Sequence, residues 1–164
     1  MHILYIHQHF STPQGATGTR SYENALSLIE HGHEVTMLCG SHRSAITGLH
    51  GNFKSNLRKG NVNGINVIEV NQPYSNNTGF LKRYWIFISF VMICIPILLK
   101  SKYDLIFATS TPLTVGLLGI LGKWFKKKPF VFEVRDLWAG LNDLQKVDAV
   151  RIYKSNQAGD LLSL

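Results

Sequence analysis

Three short polar runs carry the side chains best suited to chemistry. Gly15-Ala16-Thr17-Gly18-Thr19-Arg20 follows an apolar segment and leads into a helical pattern. Glycines let backbone N–H groups approach an anion, and a helix N-terminus adds partial positive charge. Spacing alone equally allows a plain turn that needs a positive φ. Thr109-Ser110-Thr111 is a cluster of hydroxyls, and Glu133-Val134-Arg135-Asp136-Leu137-Trp138 places two acids and a base together. Adjacent opposite charges such as Arg135 and Asp136 are either a structural ion pair or a pair that positions a substrate and stabilises developing charge.

Other chemistries fit less well. No Gly-Lys-Ser/Thr follows the glycines, so the loop is not a Walker motif. A dinucleotide site wants Gly-x-Gly-x-x-Gly directly after the strand and an acid ending the second strand, where this chain has Leu38-Cys39-Gly40. The seven histidines include His7 and His9 at a strand end, and His31 and His33 around Gly32. No carboxylates complete a ligand set, so no metal site is expected. His7 and His9 stay on the list as ligand contacts because of where they fall. Cys39 and Cys94 sit in apolar runs and make neither a disulfide framework nor a zinc site, which fits a reducing compartment.

The elements that must position these runs are legible from hydrophobic pattern. His2 to His7 reads as a buried strand, and a helix begins near Thr19 with Tyr22, Ala25, Leu26 and Ile29 on one face. Gly32 suits a left-handed C-cap, and Glu34 to Cys39 is a second strand. Gly40 to Gly64 reads as a long loop, mobile or functional. Further strands are expected over Ile65–Val70, Asp104–Ala108 and Phe130–Val134. A long apolar helix is expected over Phe80–Lys100, and another capped by Thr111 with Pro112 at its first position. Gly116, Gly119 and Gly122 let that last helix lie close to the sheet. The alternation predicts an open, mainly parallel α/β sheet with helices on both faces. In such sheets ligands bind at the carboxyl ends of the strands, where all three polar runs fall.

Charge is as uneven as the chemistry. The 164 residues carry a net +7, and the segment from Leu81 to Lys128, with eight bases and Asp104 as its one acid, accounts for all of it. Concentrated around the most apolar stretch, that charge points to an anionic membrane surface rather than to nucleic acid. Tyr84 to Leu99 is short of a bilayer's hydrocarbon core, is interrupted by Pro96 and has bases at both ends. A buried crossover helix, or one half buried and half in lipid, is therefore preferred to a spanning one. Lys123-Trp124-Phe125-Lys126-Lys127-Lys128 is either an interfacial patch or a solvated helix end.

Five runs in order carry a resemblance. Ile3-Leu4-Tyr5-Ile6-His7-Gln8, Gly15-Ala16-Thr17-Gly18-Thr19-Arg20-Ser21-Tyr22-Glu23, His31-Gly32-His33-Glu34-Val35-Thr36, Ala108-Thr109-Ser110-Thr111-Pro112-Leu113 and Phe132-Glu133-Val134-Arg135-Asp136-Leu137-Trp138 resemble family 4 glycosyltransferases. Together they look like the fucosamine-type amino-deoxysugar transferases of bacterial O-antigen and capsule assembly. The resemblance implies a Rossmann-like, acceptor-binding domain over 1–138 that faces a second, donor-binding domain. It implies transfer with retention from a nucleotide sugar, UDP-linked by expectation, to a lipid-linked or saccharide acceptor, with no metal or other cofactor. By the same resemblance Gly15, Ala16, Thr17 and Gly18 approach the donor phosphate. Arg20, Thr109, Ser110, Thr111 and His9 lie near the acceptor, and Glu133, Arg135 and Asp136 face the reacting centre.

The family usually continues with Pro and Glu after Trp138, where Ala139 and Gly140 stand here. Residues 139–164 are therefore expected to be a divergent tail, with the donor-binding domain absent and the lone chain inactive. The partners expected are a nucleotide sugar, a lipid-linked saccharide, a membrane surface through 81–128 and a separate donor-binding chain, but no nucleic acid. The expected location is cytoplasmic, peripheral on the inner face of the bacterial plasma membrane. The competing expectations are a non-catalytic acceptor-binding subunit or remnant of a split enzyme and, more weakly, a nucleotide-binding oxidoreductase domain.

Overall fold

The computed structural model describes residues 1–16, 18–42, 45–74, 79–110 and 112–135. Its elements in chain order are β1 (His2–Ile6), α1 (Arg20–Glu30), β2 (Glu34–His42), β3 (Leu57–Val62), β4 (Ile65–Tyr74), α2 (Phe80–Lys100), β5 (Leu105–Thr109), α3 (Val115–Lys126) and β6 (Phe130–Glu133). The six strands form one sheet in the order β3-β4-β2-β1-β5-β6. Every neighbouring pair is parallel except β3 and β4. This is the α/β, Rossmann-like architecture expected from the pattern.

β1 lies at the centre because both of its faces are apolar. Leu4 and Ile6 join Leu38, Val70, Ile106 and Ala108 beneath α2 and α3. Tyr5, on the opposite face, packs with Val35, Met37, Cys39 and Val67 against Tyr22 and Ala25 of α1. The period-2 alternation of each strand thus supplies two cores at once, as a sheet covered on both sides requires. After β1 the chain moves outward one way through β2 and β4, then returns to the other side of β1 for β5 and β6. The carboxyl ends of β1 and β5 therefore flank the point where strand order reverses, which in open α/β sheets is the binding crevice.

The three glycines of α3 act as expected. A Cβ at Gly119 would lie 1.9 Å from the Phe130 ring, one at Gly122 would lie 2.1 Å from Ile106 Cδ1, and one at Gly116 would lie 3.3 Å from Phe132. The helix sits directly on β5 and β6 because those positions lack side chains.

Two expectations are corrected. The stretch read as a loop from Gly40 to Gly64 contains the end of β2 and all of β3. β3 reads Leu57-Arg58-Lys59-Gly60-Asn61-Val62, with too few apolar residues to alternate, because it is a solvated edge strand paired on one side. Asn63 and Gly64, at φ 51° and 90°, make the two-residue turn to β4, a hairpin turn that needs left-handed backbone at both positions. The loop before β3 is tied down as well. Arg58 Nη2 lies 2.8 Å from the buried Glu69 carboxylate, and Thr47 donates to the same oxygen at 2.7 Å. The second correction concerns α3, which begins at Val115 rather than at Pro112. Backbone bonds from Val115, Gly116 and Leu117 to Pro112, Leu113 and Thr114 form a tighter lead-in turn. Gly32 has the positive φ of 79° expected of the α1 terminus.

Candidate active site

The polar runs meet at the β1/β5 reversal. β5 ends in Thr109 and β6 in Glu133, paired in register, so their side chains emerge side by side. Glu133 is the centre of the arrangement. Its Oε1 takes an ion pair from Arg20 Nη2 at 2.7 Å, and its Oε2 accepts the Thr109 hydroxyl at 2.9 Å. Tyr5 Oη lies 3.3 Å from Thr109 Oγ1, and Asn24 Nδ2 donates to Tyr5 Oη at 3.4 Å. Thr109 has one proton and gives it to the carboxylate, so Tyr5 donates in the Tyr5–Thr109 contact. The chain Asn24, Tyr5, Thr109, Glu133 then runs with every donor pointing toward the negative charge. Burial raises the Tyr5 pKa, and the Glu133 charge raises it further, so the phenol keeps its proton.

Arg135 is fixed through its backbone. Its N–H donates to Ser110 Oγ at 2.7 Å, while Ser110 N–H donates to the Glu133 carbonyl at 2.8 Å. The guanidinium turns toward the loop before α1, and a Cβ at Gly18 would lie 3.7 Å from Arg135 Nη2. Gly18 itself does not have a positive φ, so the turn reading of that glycine does not hold. Gly15 donates its N–H to the Thr12 carbonyl at 3.0 Å, which leaves one fewer amide for an anion.

His7, just past β1, is buried and pairs through Nδ1 with Ser21 Oγ at 2.7 Å. Burial, then the charges of His9 and Arg135, push its pKa down to about 3. The ring is neutral at pH 7 and can serve as both donor and acceptor. His9 turns toward α2, with its ring 5.3 Å from His42 and 6.2 Å from Phe87.

Of the residues singled out in the sequence, the fold thus gathers Gly18, Arg20, Thr109, Ser110, Glu133 and Arg135. Ala16 is exposed on the same loop. Thr109 and Ser110 are buried, and their hydroxyls are engaged by the Glu133 carboxylate and the Arg135 backbone N–H. Thr17, Thr111 and Asp136 lie outside the described residues. Among the described residues no three His, Cys, Asp or Glu side chains group as metal ligands. Tyr5, Asn24 and Ser21 were not singled out. Tyr5 reads as a core residue by pattern, whereas Asn24 lies one turn from both Arg20 (i, i+4) and Ser21 (i, i+3), a polar spacing that could have marked them.

A separate cleft of about 400 Å³ opens between the loop and the β3–β4 hairpin, lined by Thr12, Gln14, Tyr22, His50, Asn61 and Asn63. Its lining is largely hydrogen-bonding groups, and Asn63 Nδ2 donates to Tyr22 Oη at 2.6 Å across one wall.

Comparison with known proteins gives one assignment. A sequence model of the glycosyl transferase 4-like domain matches residues 15–155, from the first loop glycine to beyond the boundary expected at 138. No curated protein matches the chain.

Proposed function

Since the chain belongs to the glycosyl transferase 4-like family, we propose that the cluster at the β1/β5 reversal serves sugar transfer from a nucleotide-diphosphate donor to a saccharide or lipid-linked acceptor. The observation that carries this reading is the convergence of Arg20, Glu133 and Arg135 with the Gly18 loop at one strand-order reversal. Leaving-group departure in such a transfer places growing negative charge on a phosphate. Arg135, held by Ser110 and directed at the loop, supplies a fixed positive charge where that phosphate would sit. Arg20 is shared with Glu133, which orients it and tempers its charge. His7, neutral and anchored by Ser21, offers a hydrogen bond to a sugar hydroxyl without adding charge. The cleft lined by Gln14, Asn61 and Asn63 suits the hydroxyls of a saccharide. Retention at the anomeric carbon and an amino-deoxysugar of the fucosamine type, in O-antigen or capsule assembly, are supported by the motif runs alone.

The test is binding of uridine-diphosphate sugars and other nucleotide-diphosphate sugars, read by ligand-observed NMR on the 164-residue chain. Arg135→Ala should weaken binding by ten-fold or more, the order of a hydrogen bond to a charged group, about 1.5–3 kcal/mol. Equal binding by wild type and Arg135→Ala would overturn the assignment of the phosphate site. A second reading, a non-catalytic acceptor-binding subunit, is favoured by the polar cleft. It predicts oligosaccharide binding that perturbs Asn61 and Asn63, with no nucleotide-sugar binding.

A further inference from the structure

We propose that the outer surface of α2 and α3 docks on an anionic lipid bilayer, with both helices lying in the interfacial plane. The two helices pack side by side on one face of the sheet. Their inner residues, Phe90, Val91, Cys94 and Leu98 of α2 and Val115 and Leu118 of α3, fill the core. Their outer residues are just as apolar. On α2 the exposed stripe is Leu81, Trp85, Met92 and Leu99, and Trp85 is 68% exposed. On α3 and the turn before it the stripe is Leu113, Leu117, Ile120 and Trp124, spaced i, i+4, i+7, i+11, and Trp124 is 72% exposed. Ten of the thirteen large exposed apolar side chains among the described residues belong to α2, α3 or the turn before α3. A contiguous apolar face of that kind marks a docking surface.

Charge decides the occupant. The face is rimmed by Lys82, Lys100, Lys102, Lys123 and Lys127, all exposed. Asp104 is the one acid of the segment, and Lys128 lies 3.9 Å from it. A second copy docked through this face would set two cationic rims against each other. Residues 136–164 hold four acids and three bases, too nearly neutral to complement the rim. An anionic bilayer satisfies both features, because lipid tails accept the stripe and headgroups accept the lysines. Tryptophans on the stripe suit the headgroup boundary.

α2 is long and apolar enough to cross a bilayer by length and composition, but spanning would strip Phe90, Cys94 and Leu98 from the sheet. Lying flat keeps that core intact. Lys126 is excluded from the rim, since its Nζ bonds the Leu99 and Ser101 carbonyls and closes the C-terminus of α2. The arrangement also sets the orientation of the candidate site. Gln72 on β4 donates to the Ile86 carbonyl at 2.8 Å, and Phe87 lies beside His9, so the Trp85 end of the stripe is fastened at the edge where β1 and β4 end. Docking would hold that edge against the lipid surface. A lipid-linked acceptor could then reach it, a point that rests on the proposed transfer, whereas docking itself does not.

The experiment is flotation of the full chain with phosphatidylglycerol/phosphatidylcholine vesicles (1:3) and with pure phosphatidylcholine, at low and high salt, alongside sedimentation without lipid. Binding is expected to the anionic vesicles only, and to fall as salt rises. Trp85→Glu with Trp124→Glu should abolish it. These positions are solvent-facing, so folding is checked by circular dichroism. Replacing Lys82, Lys100, Lys102 and Lys123 by Gln, which leaves the apolar stripe untouched, should weaken binding about five-fold per lysine. No binding to anionic vesicles at low salt, or binding that both variants retain, overturns the proposal. So does a lipid-free dimer that Trp85→Glu dissociates. Vesicle binding without nucleotide-sugar binding would sustain docking and count against the transfer reading alone.

Discussion

Lowering the pH from 7 to 5 is expected to destabilise the protein by about 2 kcal/mol through His7 alone. The side chain is 2% exposed, and its pKa is pushed from 6.5 down to about 3. The unfolded chain therefore takes up a proton near pH 6.5 that the folded chain refuses until far lower pH. The stability that the neutral ring contributes is complete above the unfolded pKa. It is lost as pH falls below 6.5, at about 1.4 kcal/mol per pH unit, until the folded pKa is reached. His9, pushed to about 4 by burial and by the charges of His42 and Arg83, adds a similar loss over the same window. Together they remove about 4 kcal/mol by pH 5, a large share of the ~5–15 kcal/mol typical of a domain. Urea unfolding at pH 7, 6 and 5 measures this before the carboxylates titrate. His7→Gln keeps a hydrogen-bonding group for Ser21 but cannot titrate, so it should remove about half of the pH dependence. Stability that stays flat from pH 7 to 5, or a slope that His7→Gln leaves unchanged, would refute the reasoning.

The α3 glycines should rank by their distance to the sheet. Gly119→Ala, whose Cβ would meet the Phe130 ring at 1.9 Å, should lose about 1–3 kcal/mol through overpacking, whereas Gly116→Ala, at 3.3 Å from Phe132, should be neutral or gain up to ~1 kcal/mol from helix propensity; thermal melts compare the two. Thr109→Val keeps the volume but removes the hydroxyl between Tyr5 and Glu133. It should cost about 1–3 kcal/mol in urea unfolding, and Tyr5→Phe in the same background should then cost less than it does alone.

Most of the scaffold was legible because its elements bury what the pattern marks as apolar. α2 runs from Phe80 to Lys100 as expected, and Gly32 ends α1. β3 was missed because an edge strand has no apolar face to advertise, and its Asn63-Gly64 turn signal lay inside a polar stretch. The start of α3 was misplaced because Thr111-Pro112 satisfies the local rule for a helix start, while a tight turn before Val115 wins in the fold. Gly18, Arg20, Thr109, Ser110, Glu133 and Arg135 were marked by residue type at strand ends, yet the pairing among them was not. Arg135 and Asp136 suggested a local ion pair, of which Asp136 lies outside the described residues; among the described residues Glu133 pairs with Arg20, from the other end of the domain.

The sequence by itself determined the order of the strands and helices apart from β3, the side of the sheet edge on which polar residues collect, and the confinement of net charge to 81–128. These are properties of local pattern, since a strand or helix need only present its own apolar positions to one core. The tertiary structure alone decided which polar groups share a proton or a charge, and which apolar residues stay outside. Thr109 reads as a ligand-facing hydroxyl until β6 sets Glu133 beside it. Trp85 and Phe90 read alike in an apolar helix until the sheet covers one and leaves the other bare. Both distinctions depend on what lies across the gap, and that is set by contacts between residues far apart in the chain.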